Sequence, residues 1–351
     1  MGRKIKLSIL DQSIVREGSS AHDAVYETIA TAKLAEELGY TRFWISEHHN
    51  APSIAGSTPE ILLVKLGDET KSIRIGSGGI MLPNHSALKV AENFRMLETL
   101  FPGRIDLGMG RAPGSDQITA RVLNPSNDFS EDSYLMQLTH LQHYFNDTAG
   151  TQYGSLLAVP QSITTPMQWI LSSSGGSSGI AAKFGMGLAI ASFINGHVQP
   201  DIVKTYRNHF QPSKDFPQPQ VLLAISVLCA DSEEKASQMR KLMDYRLLQF
   251  EKGNFDKPGI YESIKDYVFS PNELLRIEYN KGRVISGTPT QVRDQLQELA
   301  DNFDINEIMV ATMTDNIADR KRSFELLAET LEIKKAGHLT MRNPGASQKI
   351  N

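Results

Sequence analysis

Eight short apolar runs, each followed by a stretch with helical spacing, constrain this chain more than anything else in it. In order they are Ile5–Leu10, the run Phe43-Trp44-Ile45, Ile73–Met81, Ile105–Met109, Gln168–Leu171, Leu188–Ala191, Val221–Cys229 and Asn306–Thr312. The segments between them carry their own helix signals. Ser20-x-x-Asp23 is a capping box, Val25, Ile29, Ala32, Ala35 and Leu38 form one face, and Gly39 is a stop. Pro59 suits the first turn of a helix over Pro59–Glu69, and Ser86 can cap another through Leu100. Strand-then-helix units repeated eight times predict an α/β fold, a closed (β/α)8 TIM barrel with helices outside and packed side chains inside. A doubly wound sheet is the competing topology, but no Gly-x-Gly-x-x-Gly follows the first strand. Two stretches exceed what the repeat needs, so insertions are expected after strands four and seven. One domain over residues 1–334 and a polar tail over 335–351 complete the expected organisation.

Composition narrows the function classes. The chain has 351 residues, 40% of them hydrophobic, enough for a large core. Its 36 basic and 40 acidic residues are interspersed and leave a net charge of -4, which gives nucleic acid no purchase. Cys229 is the only cysteine and lies in an apolar run, so no intrachain disulfide forms and a reducing compartment fits. No apolar run is long enough to span a bilayer. A cytoplasmic protein without nucleic acid or membrane partners is the expectation.

In a barrel of this kind all strand C-termini face one mouth. Strand two then delivers Glu47, His48 and His49, a poor set to bury without partners. Strand three ends at Gly78-Gly79, where a flat ring could approach the backbone, or where a bulge alone could explain the glycines. Strand four opens onto Arg111, and strand five onto the loop Ser172–Ser178, which includes Ser173, Ser174, Gly175 and Ser177. Backbone amides at a helix start together with a forked guanidinium suit a phosphate. Ligation of a metal by Glu47, His48 and His49 is disfavoured, because neighbouring residues on a strand point to opposite sides; no metal is expected.

These motifs resemble the bacterial luciferase-like flavin-dependent monooxygenases. The resemblance rests on Glu47-His48-His49-Asn50, Gly78-Gly79-Ile80-Met81-Leu82-Pro83, Gly103-Arg104 through Arg111, the Ser172–Ser178 loop and Gly287-Thr288-Pro289. It covers nearly the whole chain to about Leu331, and is nearest to single-gene luciferase-like oxidoreductases of unassigned substrate. It implies an enzyme that takes reduced FMN from a separate flavin reductase and oxygenates a small organic substrate with O2 through a flavin C4a-peroxide. It also implies His48 as the active-site histidine, Glu47 as the acid beside the flavin, and a cis peptide at Gly78-Gly79 under the ring. Arg111, Ser174 and Ser177 fall on phosphate ligands; Ser173 stands where luciferase has Glu, and Gly110 replaces a cysteine near the flavin. That last departure argues against light emission.

Two rivals share the barrel: a hydride transferase dependent on a deazaflavin (F420), and a flavin-binding protein without catalysis. Two features outside the mouth carry further expectations. Lys252–Thr288 is long and contains Gly253, Pro258, Gly259 and Gly282, which predicts a mobile cover. The run Ile61–Val64, with Leu66, spreads apolar residues around most of its helix. A homodimer is expected through that helix and Asn93, Phe94, Met96 and Leu97 on the next.

Overall fold

Residues 3–254 and 259–333 are described in the computed structural model of the chain. The eight expected strands are β1 (Lys6–Asp11), β2 (Arg42–Ile45), β3 (Arg74–Met81), β4 (Ile105–Gly110), β7 (Met167–Ser172), β8 (Gly187–Ala191), β9 (Val221–Cys229) and β11 (Glu307–Ala311). Neighbours pair in parallel, and β9 bonds to β8 on one side and β11 on the other, which closes the barrel. The fold is a (β/α)8 TIM barrel.

The helices start and stop where local chemistry dictates. In α1 (Ala21–Leu38) Ser20 and Asp23 form the capping box, and Gly39 ends the helix in the left-handed region at φ +89°. α2 (Pro59–Glu69) and α3 (Ala87–Leu100) cover β3 and β4. α6 (Ser178–Lys183) and α7 (Asp201–His209) follow β7 and β8. α11 (Pro289–Phe303) and α12 (Ile317–Thr330) complete the outer ring beside β9 and β11.

Alternation along the strands divides the core into two shells. Ile9, Phe43, Ile45 and Leu223 face the helices. Leu10, Trp44, Trp169, Leu222, Ala224 and Met309 fill the barrel itself. At the N-terminal end of the barrel the buried guanidinium of Arg42 donates to Glu307 Oε1 at 2.6 Å and to Asp106 Oδ2 at 2.8 Å. Trp44 Nε1 also donates to Asp106, Ser8 Oγ donates to Glu307, and Arg74 takes the other Asp106 oxygen.

Both insertions are folded, with helices where the spacing at 131–146, at 233–250 and after Ser270 predicts them. After β4, Asp116 caps α4 (Gln117–Leu123), and α5 (Glu131–Phe145) packs on α3 before a small hairpin, β5 (Gly150–Thr151) and β6 (Gly154–Ser155). After β9 comes α8 (Glu233–Glu251), which is not an outer helix. Its Met239, Met243 and Leu247 pack on Leu228, Val284 and Met313. Leu228 and Met313 continue the inward parity of Leu222 and Met309, so α8 covers the rim of the mouth beside β9 and β11.

Lys252–Thr288, expected as a mobile cover, is largely a folded insert. It holds α9 (Tyr261–Ile264), α10 (Pro271–Asn280) and β10 (Val284–Gly287); residues 255–258, and with them Pro258, lie outside the described residues. β10 pairs with Ser226–Cys229 and continues the wall above β8, which uses Val221–Ala224 on the same edge. Arg276 and Arg283 pair with Glu251, and Arg283 donates to the Phe193 carbonyl. Four residues of strand surrounded by polar segments were too short a signal to stand out. The expected tail, 335–351, also lies outside the described residues.

The Arg42 cluster gives the fold a test. Arg42→Met would leave the buried Glu307 without its cation and Asp106 with Arg74 alone, a change that typically costs about 3–5 kcal/mol. Chemical denaturation should report a loss of that order. An unchanged midpoint would mean that the cluster contributes nothing to closure.

Candidate active site

The chemistry gathers at the C-terminal mouth, where the loops after β2, β3 and β4 meet. Glu47, two residues beyond β2, has no exposure to water. Its Oε1 lies 2.8 Å from Nε2 of His49 and 2.8 Å from Nε2 of His85, and its Oε2 accepts the Met81 amide at 2.9 Å. Burial by itself raises this carboxyl. The hydrogen bond and charge of His85, the bond from His49 and the Met81 amide outweigh burial and hold it below the ordinary value. Glu47 is therefore an ionised anchor, and both imidazoles present N–H to it at Nε2.

The two neighbouring imidazoles differ in setting. Burial pulls the ring of His48 below 6.5; the Gly114 backbone and the Glu47 charge oppose this without overcoming it. His48 is thus neutral at pH 7 and able to accept a proton. Burial also works against charging His85, but the hydrogen bond and charge of Glu47, with the charge of Glu60, raise it above 6.5. The loop backbone is pinned as well: the His48 amide donates to Gly56 O at 2.9 Å and the His49 amide to Gly114 O at 3.1 Å.

The other expected residues fall on neighbouring strand ends. The Gly78-Gly79 peptide is cis, as the resemblance implied. A Cβ on Gly78 would lie 2.8 Å from Leu10 Cδ1, and one on Gly79 2.7 Å from Gly108 O, with a register shift between Gly78 and Ile80. A bulge pressed against its neighbours accounts for both glycines. Arg111 is exposed beyond β4 and pairs with Glu131 Oε2 at 3.1 Å. Past the adjacent β7, Ser172 Oγ accepts the Gly175 amide and Ser178 Oγ donates to Gly175 O, which shapes the turn at φ +94°. Among the described residues the hydroxyls of Ser173, Ser174 and Ser177 have no protein partner. A guanidinium on one strand end and free hydroxyls on the next form a donor set suited to a phosphate.

The resemblance gives His48 as the active-site histidine and Glu47 as the acid beside the flavin. In the structure Glu47 bonds to His49 and His85, and His48 stands beside them without a hydrogen bond to Glu47. His85 was missed because it lies 38 positions from Glu47. Only the pairing of β2 with β3 brings their ends together, and the lone histidine after Pro83 carries no motif of its own.

Comparison with known proteins decides the family. The model of the luciferase-like monooxygenases matches residues 5–303. The chain belongs to this family. Among curated luciferase-like relatives, the uncharacterized protein YwcH of Bacillus subtilis (strain 168) is 45% identical, covering 93% of this chain and 98% of its own. The N-acetyl-S-alkylcysteine monooxygenase of the same organism is 36% identical over 93% and 98%. The crystal structure of apo-MsnO8 superposes with a TM-score of 0.88 at 33% identity, covering 94% of this chain and 99% of that one. More distant structures show the fold alone, and their cofactors differ. The oxygenating constituent of 3,6-diketocamphane monooxygenase from Pseudomonas putida, in complex with FMN, has a TM-score of 0.68 at 16% identity over 94% and 98%. An F420-dependent secondary alcohol dehydrogenase has 0.66 at 12% over 94% and 99%. This luciferase-like protein is accordingly an oxidoreductase of a flavin-dependent monooxygenase family.

The electrostatics predict an order of titration. In histidine NMR spectra, assigned by single substitutions, His48 should titrate below 6.5 and His85 above it. The stabilising contribution of His85 is then complete below about pH 6.5 and fades as the pH rises through its folded value. That of Glu47 is complete above about pH 4.5 and is lost as the pH falls through its folded value. The reverse order for the two histidines would contradict this description of the site.

Proposed function

We propose that the protein is an FMN-dependent monooxygenase that oxygenates a small organic substrate with O2, using reduced FMN from a separate flavin reductase. The observation that carries this reading is the donor set at the mouth: Arg111 beside the unpartnered hydroxyls of Ser173, Ser174 and Ser177. These residues and Gly175 would hold the FMN phosphate, with Gly78 and Gly79 beneath the ring. Reduced flavin, when bound, supplies the electrons that activate O2. His48, neutral at pH 7, takes and returns the proton that the oxygenation moves. Glu47 fixes the loop that presents it. α8, packed with Val284 of the insert over the rim of the mouth, would limit the access of water and so keep reducing equivalents from being wasted. F420-dependent hydride transfer and flavin binding without turnover are the alternatives that the tests below separate. The name of the N-acetyl-S-alkylcysteine relative makes S-alkylated small molecules the first substrates to try.

Arg111→Ala should remove a charge-assisted contact worth roughly 1.5–3 kcal/mol, weakening FMN about tenfold or more. Riboflavin, which lacks the phosphate, should bind wild type and variant alike. Equal weakening of both flavins, or tight binding of F420 in preference to FMN, would refute the assignment. His48→Ala should lower oxygenation by about 100-fold or more while FMN affinity stays within a few-fold. Unchanged turnover would remove His48 from the mechanism.

We also propose a cytoplasmic homodimer, joined through the exposed face of α2 and α3. Leu63, Phe94 and Leu97 are buried against the barrel and Leu62 is half-buried, which corrects the broader face expected from sequence. What remains outside is Ile61, 68% exposed, with Val64, Met96 and Leu100. Apolar groups grouped in this way favour two-fold pairing. Sedimentation at low micromolar concentration should find a dimer that Ile61→Glu dissociates; a wild-type monomer would exclude it.

A further inference from the structure

We propose that His85 is a positioning residue for the reaction at the mouth. Together with His49 it clamps the buried Glu47 carboxylate, and this clamp holds the loop that carries His48. The proposal rests on the reading of His48 as the proton-handling group.

Glu47 stands where three strand-end loops join. From its own loop it takes His49, from the end of β3 the Met81 amide, and from the turn after β3 the Nε2 of His85. The loop after β4 closes the junction. Gly114 O accepts the His49 amide, Pro113 O accepts Asn84 Nδ2 at 2.9 Å, and Asp116 accepts Asn50 Nδ2 at 2.7 Å. His85 is itself held from behind, since Gln137 Nε2 on α5 donates to the carbonyls of Leu82 and His85 at 3.2 and 3.0 Å. The charged groups facing its ring are Glu47 and, from α2, Glu60.

The energetics favour a clamp over incidental packing. A fully buried carboxylate keeps its charge only while hydrogen bonds replace the water it has lost. Two of the three donors that satisfy Glu47 are imidazoles, and only that of His85 comes from outside its own loop and its neighbour strand's backbone. Without His85 the carboxylate loses one of its two imidazole donors, the one that comes from the turn after β3. The stretch 46–50 must then shift toward water or take up a proton, and either response moves His48.

Hydrogen exchange on the full-length protein without flavin tests the idea. In His85→Ala the amides of 46–50 should exchange at least ten times faster, while the peptide Val221–Cys229 keeps its wild-type rate. His85→Gln, whose amide nitrogen reaches the place of Nε2, should return the loop to within about threefold of wild type. If His85→Ala does not fold, His85→Asn replaces it, because its shorter amide stops at the place of Nδ1 and should behave as a broken clamp. The pH profile for reoxidation of bound reduced FMN by O2 should shift in the broken-clamp variant and recover in His85→Gln. Unchanged exchange at 46–50, or an equal acceleration throughout the barrel, would overturn the proposal, as would failure of His85→Gln to restore the loop. Failure of wild type to bind FMN counts instead against the flavin reading, and the exchange result stands apart from it.

Discussion

The guanidinium of Arg42, sealed inside the barrel between Glu307 and Asp106, is the interaction on which the arrangement of the mouth depends. It ties β2 to β11 on one side and to β4 on the other, with β1 joined through Ser8 and β3 through Arg74. Five of the eight staves thus share one polar network at the N-terminal end. Buried charges tolerate little change of partner, because each lost contact leaves an ion without solvation. That intolerance sets the register of β2 against its neighbours. Trp44 then has to stand one layer above Arg42 in the barrel, and the chain leaves the strand after Ile45 to reach Glu47 two residues on.

A second buried ion completes the design at the other end. Glu47 can stay ionised only by collecting donors from its surroundings, and those donors come from the loop after β2 and from the end of β3 and the turn that follows it. The carboxylate therefore ties together three segments of the mouth. His48 carries no such bond to Glu47, and burial keeps it neutral. One acid and three imidazoles at the mouth thereby stand in different settings: a fixed anion, two rings bonded to it, and one neutral ring without that bond.

Much of this was legible before any coordinates. The strand–helix count, the Ser20–Asp23 cap and the start of α2 at Pro59 were readable because each is a local signal with a local cause. The mouth residues were readable because a parallel barrel sends every strand end the same way. Other features depend on contacts between distant segments. The strand Val284–Gly287 exists because β9 is long enough to offer a second pairing site beyond β8. α8 looked like an outer helix because its apolar spacing is the same whichever surface it covers. The link from His85 to Glu47 could not be inferred from spacing at all. The glycines at 78 and 79 are a subtler case: their need was visible, but its immediate cause is the closeness of Leu10, Trp44 and Gly108.

The central claim is that this barrel couples reduced FMN and O2 to the oxygenation of a small molecule, and isotope labelling addresses it most directly. A cell extract would be incubated under 18O2 with the protein, a flavin reductase, NAD(P)H and FMN, and compared by mass with the same mixture lacking the protein or the flavin. The account predicts a metabolite that gains one labelled oxygen atom only in the complete mixture. No labelled product, or a product that forms with F420 in place of FMN and carries no label, would contradict it.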